Sequence, residues 1–172
     1  MLKKMREIVI GQRFLLLLGG NEAETGRLME AALDRLRLAG LRVLLSSSDY
    51  ESEAWGFEAD RPFLNRVVEV ETVLEPEALL DLVLEVESAL GRSRPAGGGY
   101  ASRGIDIDLL LGGMQVVQTE RLTLPHPRLH LRRFTLVPLC EHWSHWQHPL
   151  LHKSMGQLLE SCDDQGAVRP LS

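Results

Sequence analysis

Residues 102–111, SRGIDIDLLL, set two aspartates, Asp106 and Asp108, two positions apart in a run otherwise rich in Ile and Leu. Alternate side chains of a strand share a face, so both carboxylates point one way while Ile105, Ile107 and Leu109 point the other, toward a core. Their Cα atoms would stand about 6–7 Å apart. That spacing suits one hard cation gripped from two sides, or two magnesium ions along a polyphosphate. The competing reading is structural, with two solvated charges on the outer face of an edge strand.

The surrounding residues favour phosphate. Arg92, Arg94 and Arg103 precede the aspartates, and Arg121, Arg128, Arg132 and Arg133 follow them. The chain holds 16 arginines and only three lysines, all far in sequence from this region. A guanidinium can grip a phosphate with two parallel hydrogen bonds, which an ammonium cannot. No G-x-x-x-x-G-K-[ST] run occurs, so a phosphate site here is not a P-loop. Acidic metal ligands, clustered arginines and the glycine-rich stretch RSRPAGGGYASR together match the needs of a nucleotide polyphosphate.

The elements that must hold these groups can be read from periodicity. RFLLLLGGN reads as a buried strand ending in a glycine turn, and EAETGRLMEAALDRLRLAG as a helix stopped by Gly40. LRVLLSSSDYES and PFLNRVVEVETV read as two further strands around the loop EAWGFEADR. The second alternates from Val67 to Val73, as a half-buried antiparallel strand does. EPEALLDLVLEVESALG reads as a second helix, with Pro76 in its first turn and Gly91 at its end. Three consecutive glycines and a proline predict a mobile loop over 92–103, after which GIDIDLLLGG returns to a strand. The order β-α-β-β-α-β predicts an α+β ferredoxin-like sandwich with a mostly antiparallel central sheet. Loops and short C-terminal helices should then gather around one end.

Length and composition set the outer bounds. At 172 residues and 44% apolar content the chain suits one compact domain. We read residues 1–12 as an N-terminal leader and 13–172 as that domain. The net charge of -5 argues against nucleic acid or an anionic membrane as partner, and points to small molecules. Cys140 and Cys162 have no metal-ligand spacing and form no disulfide framework, which favours a cytoplasmic home and inert packing roles.

At this point the sequence resembles the 6-hydroxymethyl-7,8-dihydropterin pyrophosphokinases of folate biosynthesis. The resemblance rests on GGNE, PFLNRVV, ESALGRSR, ASRGIDIDLLL and TLPHPRLHLRRFTLVPL, in the family's order, over roughly residues 13–162. It implies a ferredoxin-like fold and transfer of the pyrophosphoryl group of ATP to the pterin hydroxymethyl group, releasing AMP. By the same resemblance Asp106 and Asp108 are ligands of two Mg2+ ions, and Arg92, Arg94 and Arg103 are catalytic phosphate contacts. Glu87, Arg94, Arg103, Leu109, Thr123, His126 and Arg132 would form the nucleotide side. Phe63 and Phe134 would sandwich the pterin, with its polar edge read by Asn65 and by backbone groups around Ser52 and Trp55. A flat, polar heterocycle needs just this division between stacking for affinity and fixed donors and acceptors for identity.

Departures from the family pattern fall at Gly99, Tyr100 and the Pro95–Gly99 stretch, and at Glu53 and Phe63. They leave the metal ligands intact. The implied enzyme works as a monomer on small molecules, with contact to neighbouring folate-pathway enzymes left open. The alternative is a ferredoxin-like sensor that binds nucleotide or pterin without turnover, supported only by the altered loop. EHWSHWQHPLLH brings four histidines, His142, His145, His148 and His152, to spacings that imitate a zinc site. Trp143 and Trp146 read instead as packing anchors there, and Pro149 breaks any single helical face.

Overall fold

The computed structural model describes residues 11–91 and 104–171. In chain order the elements are β1 (Gln12–Gly20), α1 (Thr25–Leu38), β2 (Arg42–Ser46), β3 (Tyr50–Ser52), β4 (Phe63–Thr72), α2 (Pro76–Ala89) and β5 (Asp106–Leu111). The small hairpin β6 (Val117–Gln118) and β7 (Thr123–Leu124), α3 (Arg133–Trp143), α4 (Met155–Glu160) and β8 (Val168–Pro170) complete the chain. β1 begins at Gln12, inside the stretch read as leader. The predicted loop over 92–103 lies outside the described residues.

The main sheet runs β5-β1-β4-β3-β8, with β2 also paired to β4, and every pairing is antiparallel. This is the β-α-β-β-α-β arrangement expected from the sequence. The strand predicted over 41–52 is broken into β2 and β3 at Ser47, Ser48 and Asp49, where regular pairing with β4 stops although the Ser47 N–H still donates to the Val67 carbonyl at 2.8 Å. Ser47 Oγ accepts the Val67 N–H at 3.0 Å, and Asp49 takes the Arg66 guanidinium at 2.6 and 3.0 Å. Side chains thus supply part of the bonding across the gap.

One face of the sheet packs on α1 and α2. α1 presents Met29, Ala32, Leu33 and Leu36 at helical spacing to Phe14, Leu16, Leu18, Val68 and Val70, and α2 adds Leu79, Val83 and Val86. Each of these side chains larger than alanine contributes roughly 1.5–3 kcal/mol when buried. Gly40 closes α1 at φ +95°, where it donates to Arg37 while Leu41 donates to Leu36. This Schellman pairing explains the glycine.

The C-terminal region forms the short helices expected, α3 and α4, but instead of gathering around one end they cover the second face. Leu15, Leu17, Val67 and Leu110 pack there against Leu129, Leu136, Leu139, Trp143, Met155 and Leu158. β1 is therefore buried on both faces, which is why its apolar residues run without interruption. For the same reason β4 is not half-buried as its alternation suggested. Glu69, on its second face, is buried, accepting from Trp143 Nε1 at 2.9 Å and Arg13 Nη1 at 3.2 Å. Ser154 and Gln157 start α4 with reciprocal bonds of 3.2 and 2.9 Å between side chain and backbone.

Candidate active site

The second face is not covered evenly. Toward the Gly19–Gly20 end of β1 the apolar cover gives way to a cleft of about 310 Å3. Strand register builds its floor. Gly19 of β1 lies between Asp106 of β5 and Asn65 of β4, and Asn65 in turn lies beside Tyr50 of β3. Neighbours in register share a face, so a carboxylate and an amide flank a position with no side chain. A methyl group at Gly19 would stand 3.4 Å from both Asn65 Oδ1 and the Leu64 carbonyl. The glycine keeps the floor low.

On β5 the faces divide as the sequence implied. Ile107 and Leu109 enter the helix-side core, whereas Asp106 and Asp108 are half-buried and line the cleft. β5 is an edge strand, and the His126 N–H covers part of its free edge by donating to the Leu110 carbonyl at 2.8 Å. Glu87 lies beneath, on α2, 2% exposed, where its Oε1 accepts the Ile107 N–H at 2.6 Å. It grips the backbone between the two aspartates from the opposite face and does not line the cleft.

The far wall is aromatic and amide. Asn65 is 2% exposed and donates through Nδ2 to Ser52 Oγ at 2.9 Å, with longer contacts to the Tyr50 and Phe63 carbonyls at 3.4 and 3.5 Å. With its amine so engaged, its Oδ1 stays on the Gly19 side as an acceptor for a ligand donor. Ser52 thus acts by orienting Asn65. Trp55, Phe63 and Phe134 line the same cleft, and so does Phe57, whose ring meets Phe63 edge-on at 5.9 Å and 88°. Phe57 escaped the sequence reading because it sits in a loop with no periodicity to mark it.

Between the walls stand His126, Arg128 and Arg132. The Arg132 guanidinium lies 4.9 Å from the Trp55 ring centre and 5.5 Å from that of Phe134, within cation–π range of both. His126 Nδ1 accepts the Arg128 N–H at 3.1 Å, so its proton sits on Nε2. Burial, aided by the charges of Arg132 and Arg128, pushes the imidazole down to about 4, leaving it neutral at pH 7. It is a donor, not a cation.

Of the residues singled out from sequence, Asp106, Asp108, Trp55, Phe63, Asn65, His126, Arg132 and Phe134 come together here. Ser52 and Glu87 support them from behind. Leu109 has its side chain in the opposite core, and Thr123 is exposed on β7, away from the cleft lining. Arg92, Arg94 and Arg103 lie outside the described residues. No group of three or more His, Cys, Asp or Glu able to hold a metal occurs among the described residues. His148 is instead a turn organiser, its Nδ1 accepting the Leu150 and Leu151 N–H groups at 3.3 and 3.2 Å. Trp143 is 1% exposed, a packing anchor as expected.

Residues 15–144 match the family profile described as 7,8-dihydro-6-hydroxymethylpterin-pyrophosphokinase (HPPK). The chain belongs to this family. It is 41% identical over 134 residues to the 2-amino-4-hydroxy-6-hydroxymethyldihydropteridine pyrophosphokinase of Porphyromonas gingivalis, covering 77% of this chain and 90% of that one. The enzyme of the same name from Methylorubrum extorquens is 40% identical over 125 residues, covering 72% and 78%. Among solved structures, wild-type Plasmodium falciparum HPPK-DHPS with pterin and p-hydroxybenzoate superposes with a TM-score of 0.67 at 16% identity. That match covers 91% of this chain and 44% of the Plasmodium chain, so this HPPK chain spans less than half of its length and shares its fold. No helix among the described residues is long and apolar enough to cross a membrane.

Proposed function

We propose that this chain transfers the pyrophosphoryl group of ATP to the hydroxyl of 6-hydroxymethyl-7,8-dihydropterin in folate biosynthesis, releasing AMP, with Mg2+ held by Asp106 and Asp108. The observation that carries the reading is one continuous cleft with paired carboxylates on β5 at one side and an amide and aromatic rings at the other. In the reaction the pterin hydroxymethyl oxygen bonds to the β-phosphorus, the bridge between the α- and β-phosphates breaks, and the hydroxyl proton leaves to solvent.

The residues present fit magnesium. Two half-buried carboxylates on one strand face, with no third acidic or His ligand grouped with them among the described residues, leave most of the coordination sphere to phosphate and water. When bound, the ion offsets phosphate charge and makes the pterin hydroxyl easier to deprotonate.

The chain's own groups do the rest. Asn65 Oδ1 accepts from the donor edge of the heterocycle, and its own amine is fixed by Ser52. Phe63 and Phe134 supply ring faces, and Phe57 braces Phe63 edge-on. Neutral His126 offers its Nε2 proton to a phosphate oxygen, and Arg132 stands at the junction of pterin and phosphate. Glu87 positions the two aspartates through the Ile107 N–H. Arg92, Arg94 and Arg103, together with backbone groups near Leu109 and Thr123, complete the nucleotide side. These groups stabilise charge by position, which is the main task in phosphoryl transfer.

The test is AMP release by the purified chain with ATP, Mg2+ and 6-hydroxymethyl-7,8-dihydropterin. Release that needs both pterin and metal supports the reading. A folded protein that releases none refutes it.

A further inference from the structure

We propose that Arg128 is a phosphate-binding residue of the cleft, contacting the polyphosphate of the nucleotide in the cleft that Asp106 and Asp108 also line. The inference rests on the pyrophosphokinase reading and assigns part of its charge recognition.

The two arginines of this cleft differ in their surroundings. Arg132 has the Trp55 and Phe134 rings against its guanidinium. Arg128 is exposed, lines the same cleft as both aspartates, and makes no side-chain hydrogen bond or ion pair among the described residues. Arg13, Arg27, Arg37, Arg42, Arg66 and Arg121 each reach a carboxylate, and of the described arginines that make no ion pair with a described carboxylate, Arg35, Arg61, Arg133 and Arg169 lie outside the cleft lining that Arg128 joins. A weakly hydrated cation that lines a cleft together with two carboxylates is suited to an anion that enters the cleft with its own counter-charge.

Its position is fixed by the backbone. The Arg128 N–H donates to His126 Nδ1 at 3.1 Å, Leu129 N–H to the His126 carbonyl at 3.0 Å, and Leu131 N–H to the Arg128 carbonyl at 3.2 Å. Leu129 between them is fully buried, anchoring the turn in the second core. The guanidinium charge also helps keep the His126 imidazole neutral, and His126 lines the same cleft. Because the bond to His126 comes from the backbone, shortening the side chain at 128 leaves it in place.

The experiment is calorimetric titration of the full chain with α,β-methylene-ATP in Mg2+, and separately with 6-hydroxymethylpterin, for wild type, Arg128→Ala and Arg128→Lys. Loss of a charge-assisted phosphate contact should weaken analogue binding about tenfold in the alanine variant and about threefold in the lysine variant, with pterin affinity within about twofold of wild type. Unchanged analogue affinity in Arg128→Ala would overturn the proposal, as would parallel loss of analogue and pterin binding. The pyrophosphokinase reading fails separately, if wild type binds both ligands and releases no AMP.

Discussion

The two faces of the sheet share strands yet are built for different ends. Beneath α1 and α2 the strands present a largely apolar face to the helices, with Arg66 at its margin reaching Glu30 of α1. Beneath α3 and α4 the cover is complete around Trp143 and stops short at Gly19, Asn65 and Asp106, where polar groups line a cleft. The division runs through single strands. On β5, Ile107 enters one core while its neighbours Asp106 and Asp108 face the other way into the cleft. A strand with one face committed to packing can hold functional groups rigidly on the other.

The largest expected effect breaks the chemistry and spares the fold. Asp106→Ala or Asp108→Ala should cut AMP release on the order of a thousandfold, because each removes a proposed metal ligand. Their melting temperatures should stay near wild type, since neither carboxylate is in a core. Ile107→Ala should do the reverse, losing about 2–5 kcal/mol in denaturant unfolding while each folded molecule keeps near-normal turnover. Comparable stability loss in the aspartate variants would erase the contrast between the faces.

A pH series sharpens it. Folded His126 titrates at about 4 against an ordinary 6.5, mainly through burial. Between those values the unfolded chain binds more protons, so stability rises with pH. His126's contribution is complete above about 6.5 and is lost as pH falls toward 4, on the order of 1–3 kcal/mol. Urea unfolding at pH 7 and 4.5 should therefore show a smaller acid loss in His126→Gln than in wild type. The smallest effect is local: Gly19→Ala should weaken pterin binding about three- to tenfold by raising the cleft floor against Asn65. Unaltered affinity in a titration would show that the ligand does not approach Gly19.

What could be read from the sequence follows the same division. The helix-side face was legible because long elements with clear periodicity build it, and Gly40 and Gly91 mark helix ends through their positive φ. The paired aspartates were legible because strand alternation alone puts them on one face. The C-terminal cover was not, because α3 contains Pro138, α4 has six residues and β8 three, too short for periodicity to speak. The break between β2 and β3 depends on Ser47 meeting Val67 and Asp49 meeting Arg66, contacts that exist only after folding. Glu87 was named only through the family resemblance, and its place behind β5, holding the Ile107 N–H, needed the structure.

The central claim is that the cleft-side carboxylates of β5 hold the nucleotide through magnesium. It is tested most directly by measuring binding of α,β-methylene-ATP as a function of Mg2+ concentration in wild type, Asp106→Ala and Asp108→Ala. The account predicts Mg2+-dependent binding in wild type and loss of that dependence in both variants. The same Mg2+ dependence in all three proteins would contradict it.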